Sequence, residues 1–326
     1  MNPTVAKETS SGTRTADDGW DQQRCPICGC RHPRPWLTAP DRFHGRNQPY
    51  QLLRCASCSL VWLHDPPLPA EMGRHYGAEY DRAIASGGAD AGHWNWRRDQ
   101  LLRHKSGGAI LDLGCSSGGF LASLKGPSWR LFGIEMSEGV AREAEARCGA
   151  HVFVGDVPDA PFAPGSFDAI TCFHVFEHLY KPREVLERVS EWLKPGGIFY
   201  AMMPNIDSAG ARIFRSYWYA LELPRHLYHF SPVTLKGLAN SVGLKEISVT
   251  TDREVFIEDS VRYVLDEAFR RAGLSREPLS RARAASIPWR VVRRIFRLTM
   301  LPALTKVASL AGDGESIHAV FEKTGS

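Results

Sequence analysis

Ala109-Ile-Leu-Asp-Leu-Gly-Cys-Ser-Ser-Gly-Gly-Phe120 is the stretch on which the reading of this chain turns. Ala109 to Leu113 is an apolar run of strand length carrying one acid, Asp112, and Gly114 to Gly119 is a glycine-rich turn into a helix starting near Gly119 and Phe120. Gly114 and Gly118 let a ligand approach the backbone without a Cβ in the way, and the start of the helix offers unpaired N–H groups. Alone, such a turn is also an ordinary strand-to-helix connection. Its companions point to a small-molecule site.

The turn reads G-C-S-S-G-G, not the G-x-G-x-x-G of dinucleotide folds. Trp129 to Ile134 is a second apolar run, closing on Glu135 and Met136. It lies about 20 residues past the glycines, where an acid can take both hydroxyls of a ribose. His151 to Val154 is a third run, followed by Gly155-Asp156-Val157, where a carboxylate can accept from an adenine amino group. Phe167 to Cys172 is a fourth, ending at Phe173; a helix from Pro182, the turn Lys194-Pro-Gly-Gly197 and a fifth strand to Met203 follow.

As an ordered set, these motifs resemble the class I S-adenosylmethionine-dependent methyltransferases over roughly Trp94 to Lys323. Asp112-Leu-Gly-Cys-Ser-Ser-Gly118 is similar to their first motif, Gly133-Ile-Glu135 to their second acidic position, Gly155-Asp-Val157 to their adenine-side acid and Leu193-Lys-Pro-Gly-Gly197 to their turn before strand five. The resemblance implies an α/β fold, a seven-stranded doubly wound Rossmann-like sheet, with S-adenosylmethionine as cofactor. It implies cofactor contacts at Asp112, Gly114, Cys115, Gly118, Phe120, Glu135, Met136, Asp156, Val157 and Phe173.

The 326 residues, 43% of them apolar, suffice for one large or two unequal domains. Residues 1–22 lack an apolar signal-peptide core and read as a disordered tail, and no apolar run reaches the ~18 residues of a membrane span, so a cytoplasmic location is expected. Charge is uneven: between Arg270 and Lys306 ten Lys/Arg face one acid, Glu277, so the rest of the chain is mildly acidic despite the net +4. That argues against a nucleic-acid footprint across the whole domain.

Cys25-Pro-Ile-Cys28 and Cys55-Ala-Ser-Cys58 form two C-x-x-C knuckles around a segment, including Pro49 to Arg54, that can make a hairpin. Four thiolates paired in this way suit a closed, structural, tetrahedral Zn²⁺ site. Cys30 and His32 lie close by, but the two knuckles already complete the shell; Cys115, Cys148 and Cys172 read as small core residues. The module, residues 23–66, resembles the small zinc ribbons that precede the methyltransferase domain in sugar C-methyltransferases and related polysaccharide-cluster enzymes. A linker or cap over 67–93 and a methyltransferase domain over 94–326 complete the division, with a basic helical insertion at 253–312. Tyr76 and Tyr80, at helical spacing in the linker, either wall a pocket or pack, and Trp94 to His104 is expected as a helix over the cofactor site, ended by Ser106-Gly-Gly108.

After the fourth strand comes Phe173-His-Val-Phe-Glu-His178. A helical turn there would put His174, Glu177 and His178 on one face, at the strand end where open parallel sheets gather ligands. The stretch is similar to the E-x-x-E-H of quinone O-methyltransferases, whose acids and His hold a divalent cation, although position 174 is His and one carboxylate makes a weak magnesium site. It is also similar to the stretch of sugar C-methyltransferases in which a His at the position of His178 lies in the active site, a comparison that needs no metal. Phe173-His174-Val175 lacks the Asn/Asp-Pro-Pro-aromatic signature of amino-methylating nucleic-acid enzymes.

Ser216 to Phe230, SYWYALELPRHLYHF, is the densest cluster of rings and histidines and reads as a substrate lid or as a plain hydrophobic flap. Its resemblance to polysaccharide-cluster methyltransferases puts His226 where sugar C-methyltransferases carry an active-site His. As a neutral imidazole, His226 is the first expectation for general base, His178 the second, and Tyr228 and His229 are expected to bond hydroxyls. Ser231 begins a capped helix ending near Gly243, Glu246 to Thr251 gives strand six, and Ser316 to Glu322 an antiparallel strand seven. Between them Arg290, Arg293, Arg294 and Arg297 share one helix side and Val292, Ile295, Phe296 and Met300 another, before Pro302.

The expected function is methyl transfer from S-adenosylmethionine to a nucleotide-linked or lipid-linked sugar, by O- or C-methylation, with peripheral contact of 287–311 with the inner membrane face as one use of the basic helix and a solvated cap or dimer contact as others. The alternatives are a quinone or small-phenol O-methyltransferase and an RNA-binding protein or RNA methyltransferase.

Overall fold

The computed structural model of the chain describes residues 24–44, 46–76, 91–252, 256–273, 294, 299 and 314–325. The expected tail, Tyr80, most of the linker and nearly all of the arginine-rich helix, with Arg290, Arg293, Arg297, Val292, Ile295, Phe296, Met300 and Pro302, lie outside the described residues.

In chain order the regular elements are β1 (Pro33–Asp41), β2 (Arg46–Cys55), β3 (Val61–Leu63), α1 (Pro69–Met72), α2 (Ala91–Leu102), β4 (Gly108–Leu113), α3 (Gly119–Ser123), β5 (Trp129–Glu135), α4 (Glu138–Cys148), β6 (His151–Val154) and β7 (Phe167–Phe173). There follow α5 (Pro182–Trp192), β8 (Leu193–Pro204), α6 (Ala209–Phe214), β9 (Tyr228–His229), α7 (Pro232–Asn240), β10 (Leu244–Asp252), α8 (Ile257–Arg271) and β11 (Ser316–Lys323).

Seven strands form one sheet in the order β10-β11-β8-β7-β4-β5-β6. β4 to β8 run parallel, and β11 runs antiparallel to both β8 and β10. The chain builds outward from β4 to β6 and then returns to β7 on the other side of β4. The strand order therefore reverses beside β4, and the crevice outside the C-terminal ends of β4 and β7 is where such a sheet binds ligands. This is the Rossmann-like methyltransferase sheet expected from the motifs.

The pleat sends alternate residues of β4 to two cores. Ile110 joins Leu101, Phe120, Leu121, Ala144 and Cys148 under α2, α3 and α4, whereas Leu111 and Leu113 join Val185, Leu186, Val189 and Trp192 of α5 and Leu235 and Leu238 of α7. Helix α5 begins at Pro182, as expected, and α7 has a reciprocal cap: Ser231 Oγ accepts from Thr234 N–H while Thr234 Oγ1 accepts from Ser231 N–H. The turn Lys194–Gly197 sits inside β8 as a bulge, since Phe167 pairs with Leu193 but Ala169 with Ile198.

A second, four-stranded sheet has the order β1-β2-β3-β9. Its last strand comes from the far half of the chain: Trp62 pairs with Tyr228 and Val61 with His229. Leu63 N–H donates to the Leu227 carbonyl at 2.9 Å, and Leu227 N–H donates to the Glu177 carbonyl at 2.8 Å. The cysteine module is thereby stitched to the segment that follows β7, and the expected lid becomes a strand of the module.

Glu315, just before β11, pins the start of this segment. Its buried carboxylate accepts from Gly210 N–H and from Trp218 Nε1–H, both at 2.9 Å. Replacing Glu315 by Ala strands two buried donors and should cost about 2–4 kcal/mol. Urea unfolding with an unchanged slope and a lowered midpoint would register it; an unchanged midpoint refutes it.

Candidate functional site

Gly114 ends β4 with φ +66, and a Cβ there would stand 2.5 Å from Val175 Cγ2, so neither the conformation nor the space admits another residue. Gly118, the N-cap of α3, has φ +74, and a Cβ on it would meet Ala144 of α4 at 3.0 Å. At the end of β5, Glu135 faces this turn. Its Oε2 accepts from Ser116 N–H at 3.1 Å and its Oε1 from Ser137 N–H at 2.9 Å, which aims the carboxylate across the turn and leaves further lone pairs on both oxygens.

Asp156 Oδ1 accepts from Val157 N–H at 2.7 Å, fixing the acid at the end of β6. Asp112 is buried below the turn; burial pushes its carboxyl up to about 7 against the Thr171 hydroxyl, which donates at 2.6 Å, and against the nearby Arg97. Phe120 and Phe173 meet edge to face at 4.9 Å, and the Arg97 guanidinium lies 5.0 Å from the Phe173 ring. Met136 is 73% exposed beside Glu135, an apolar side chain available to cover a flat ligand.

Cys115, another expected cofactor contact, has a buried side chain. Its thiol is buried against Gly133, in the core that holds Phe120 and Cys148, because the turn directs it inward between β4 and β5. The other cofactor candidates gather at the carboxyl ends of β4, β5, β6 and β7.

The second half of the site lies past β7. His174 has φ +56 and the following turn is a single 3₁₀ turn, Phe176–His178, so the three titratable residues do not share a helical face as expected. They converge by another route: His174 Nδ1 stands 3.6 Å and His226 Nε2 4.0 Å from Glu177 Oε1, and the rings of His178 and His226 are 4.6 Å apart in a T arrangement. Glu177 is buried, and neither carboxylate oxygen takes a hydrogen bond among the described residues.

Hydrogen-bond partners decide the protonation of both histidines. His226 Nδ1 lies 2.9 Å from the Ala220 carbonyl and Nε2 3.1 Å from Glu222 Oε2. Both partners only accept, so both nitrogens carry protons. Burial alone would lower the His226 pKa, but the Glu222 carboxylate and then Glu177 more than reverse it, and the ring is held as imidazolium. The neutral His226 base expected from the sequence is therefore corrected: this ring has no lone pair to offer.

His178 is its opposite. Its Nδ1 lies 3.1 Å from the Arg225 carbonyl, which can only accept, and 3.2 Å from the Tyr76 hydroxyl. Nδ1 therefore holds the proton and Nε2 the lone pair. Burial, reinforced by the charge on His226, brings the pKa down to about 4. The residue as a whole is half-buried. Burial pushes the Glu222 carboxyl up, but His226 and Arg225 hold it well below the usual range; Glu177 is likewise held down by His174, His226 and His178 against its own burial.

Tyr228 takes no part here. Its ring is buried in β9 and its hydroxyl donates to the Tyr180 carbonyl at 3.1 Å, so this expected hydroxyl-binding residue is a packing residue of the module's sheet. His229, also buried, is pushed well below the ordinary imidazole range by burial and then by His226. Glu222 and Arg225 went unnoticed in the sequence, although Glu222-Leu-Pro-Arg-His226 puts an acid, a guanidinium and an imidazole within one turn's spacing.

Two groups among the described residues bring metal-ligand atoms together. In the first, Cys25 Sγ lies 3.5 Å from Cys58 Sγ and Cys28 Sγ 3.5 Å from Cys55 Sγ, with all four sulfurs within 4.8 Å of one another. A Zn–S bond of ~2.3 Å in a tetrahedron requires edges of ~3.8 Å, so the set fits. The two knuckles are built alike: Cys25 N–H donates to the Cys30 carbonyl and Gly29 N–H to Cys25, as Cys55 N–H does to Leu60 and Ser59 N–H to Cys55. The second group is Glu177, His178 and His226. It fits poorly, because a cation on His226 would have to displace a proton already bonded to Ala220 or Glu222.

Residues 91–249 match the family described as a methyltransferase domain. The ubiquinone biosynthesis O-methyltransferase of Paraburkholderia phymatum is 29% identical over 153 residues, which is 43% of this chain and 66% of that one. An uncharacterized 37.1 kDa protein in a transposon of Streptomyces fradiae is 32% identical over 114 residues, 33% of each chain. The chain thus spans about two thirds of one relative and one third of the other. A solved structure from Haloferax volcanii, a complex of the Trm112 methyltransferase activator with a methyltransferase, aligns with a TM-score of 0.49 at 20% identity, covering 78% of this chain and 96% of that one. The match to a methyltransferase domain over residues 91–249 takes in the parallel strands and the glycine turn of the seven-stranded sheet. Among the described residues no helix is long and apolar enough to cross a membrane.

Proposed function

We propose that the chain transfers a methyl group from S-adenosylmethionine to a hydroxyl of a nucleotide-linked or lipid-linked sugar, with His178 as proton acceptor and a structural zinc on Cys25, Cys28, Cys55 and Cys58. The observation that carries this is the pairing of a neutral, partly exposed His178, its lone pair on Nε2, with the charged His226–Glu222 pair behind it.

S-adenosylmethionine, when bound, supplies a methyl group on a positively charged sulfur. Glu135 would hold the ribose hydroxyls and Asp156 the purine edge, with Gly114 and Gly118 giving room for the backbone to close on the nucleoside. A hydroxyl oxygen becomes strongly acidic as it takes a methyl group, so a base as weak as His178 suffices to remove its proton. Preparing a carbanion beside a ketone needs a far stronger base, which favours O- over C-methylation. Arg225 keeps the tautomer right by accepting from Nδ1, and Tyr76 borders the same ring. Glu177 and Glu222 both face His226, whose ring lies beside that of His178, a cluster of polar groups suited to a polyhydroxylated substrate.

The second reading, a quinol or small-phenol O-methyltransferase, is favoured by the name of the Paraburkholderia relative. An RNA substrate would lean on the arginine-rich segment at 287–311, as would contact with a membrane.

Labelled S-adenosylmethionine offered with nucleotide-sugars, glycolipids, quinols and RNA should place label in a sugar fraction; label confined to quinols or RNA overturns the acceptor assignment. Replacing His178 by Ala should lower turnover by about 100-fold or more while leaving S-adenosylmethionine affinity by calorimetry intact. Because His178 titrates near 4, wild-type transfer should stay level from about pH 8 to pH 5 and fall as the ring gains its proton below that. A rate that falls between pH 7 and 6 instead would assign the proton transfer to another group.

A further inference from the structure

We infer that Arg225 is the positioning residue for both active-site histidines and that the cysteine module's turn after β1 holds it in place, so that the module completes the catalytic centre. This rests on the reading of His178 and His226 as active-site groups.

Arg225 is fully buried, and it touches each histidine by a different end. Its carbonyl accepts from His178 Nδ1 at 3.1 Å, which sets the tautomer that leaves Nε2 bare. Its Nε–H donates to Glu222 Oε1 at 3.2 Å, and the other oxygen of that carboxylate takes His226 Nε2 at 3.1 Å. One residue thus fixes the neutral ring through its backbone and the charged ring through its side chain.

Behind the guanidinium stands the module. Arg225 Nη1 donates to the His75 carbonyl at 3.1 Å and lies 3.1 Å from His44 Nδ1, which is in turn 3.1 Å from Asp41 Oδ2. Asp41 Oδ1 is 3.8 Å from the same Nη1, and the Phe43 ring lies 4.7 Å below the guanidinium carbon. Asp41, like Arg225, is fully buried. A buried carboxylate and a buried guanidinium this close offset each other's desolvation, and removing one leaves the other uncompensated.

The direction of the effect follows from the charges around His226. The groups facing it are Glu222 and Glu177, His178 at 4.6 Å and His229 at 6.2 Å between ring centroids, and Arg225 through Glu222; His174 and Tyr76 lie one contact further, on Glu177 and His178. Neutralising Asp41 removes a negative charge beside Arg225, so that the guanidinium draws harder on Glu222. The imidazolium of His226 is then less well compensated, and it gives up its proton more readily.

The test needs no acceptor. The zinc-loaded full chain, labelled with ¹⁵N-histidine and saturated with S-adenosylhomocysteine, is titrated by NMR as wild type, Asp41→Asn and Asp41→Glu. The His226 midpoint should drop by about one pH unit in Asp41→Asn and return toward wild type in Asp41→Glu, with zinc content and S-adenosylhomocysteine affinity unchanged. Arg225→Lys, which keeps the charge and loses the fork, should disturb the His226 signals similarly. Coincident His226 titrations in wild type and Asp41→Asn overturn the inference. A shift accompanied by loss of zinc or of product binding also overturns it, reducing Asp41 to a support of the fold. A wrong acceptor assignment would leave these spectra untouched, whereas a chain that binds no S-adenosylhomocysteine would sink the functional reading itself.

Discussion

On the proposed function, a Cys55→Ser chain should hold no zinc and transfer no methyl group while still binding S-adenosylmethionine. Cys55 contributes more than a ligand atom: its Sγ accepts from the N–H groups of Ser57 and Cys58, and its backbone pairs with Leu60 and Ser59. Zinc in small cysteine modules supplies roughly 10–16 kcal/mol of apparent binding free energy, far more than a four-stranded sheet this small can replace. The loss should spread along β3 to β9, and through Leu227 to Glu177 and the histidines. The glycine turn, Glu135 and Asp156 belong to the other sheet and keep their bonds. Metal analysis, proteolysis within residues 24–66 and calorimetry with S-adenosylmethionine report the three parts separately. Full turnover from a zinc-free chain would refute the coupling.

Glu135→Ala should weaken S-adenosylmethionine binding by about 100-fold, the scale of two charge-assisted hydrogen bonds at roughly 1.5 kcal/mol each. The same change frees Ser116 N–H and Ser137 N–H, which Glu135 ties across the glycine turn, so the turn loosens as well as losing its acid. Glu135→Gln removes less: its single oxygen can keep one of the two N–H bonds while the charge is gone, and it should lose less than Glu135→Ala. Calorimetry decides, and an affinity within threefold of wild type for Glu135→Ala would remove the acid from the nucleoside site.

The parallel half of the large sheet was legible because it is local. Ala109–Leu113, Trp129–Glu135, His151–Val154 and Phe167–Phe173 each carry their own apolar run and their own closing residue, and the strands match those runs closely. Ser231 announced α7 by its cap, and Pro182 announced α5. Chemistry in the histidine cluster was less legible, since the proton on His226 depends on Ala220 and Glu222 and the proton on His178 on Arg225, and residue type alone does not say which nitrogen meets which partner. Tyr228 was misread for a related reason: its aromatic and hydroxyl suit a sugar, but a two-residue strand pairing with Trp62, more than a hundred residues earlier, turns it inward. Such non-local pairing leaves no periodic trace. Cys115 belongs with it, its side chain directed by the turn into the space that Gly133 leaves.

The late arrival of Tyr228 and His229 in the first sheet also dictates an order of events at the ribosome. Everything from His64 to Leu227 must emerge before the N-terminal sheet can close its last edge. The nascent cysteine knuckles therefore wait, three strands wide, while most of the second sheet is translated, and the two halves become one body only when the histidine segment threads back between them.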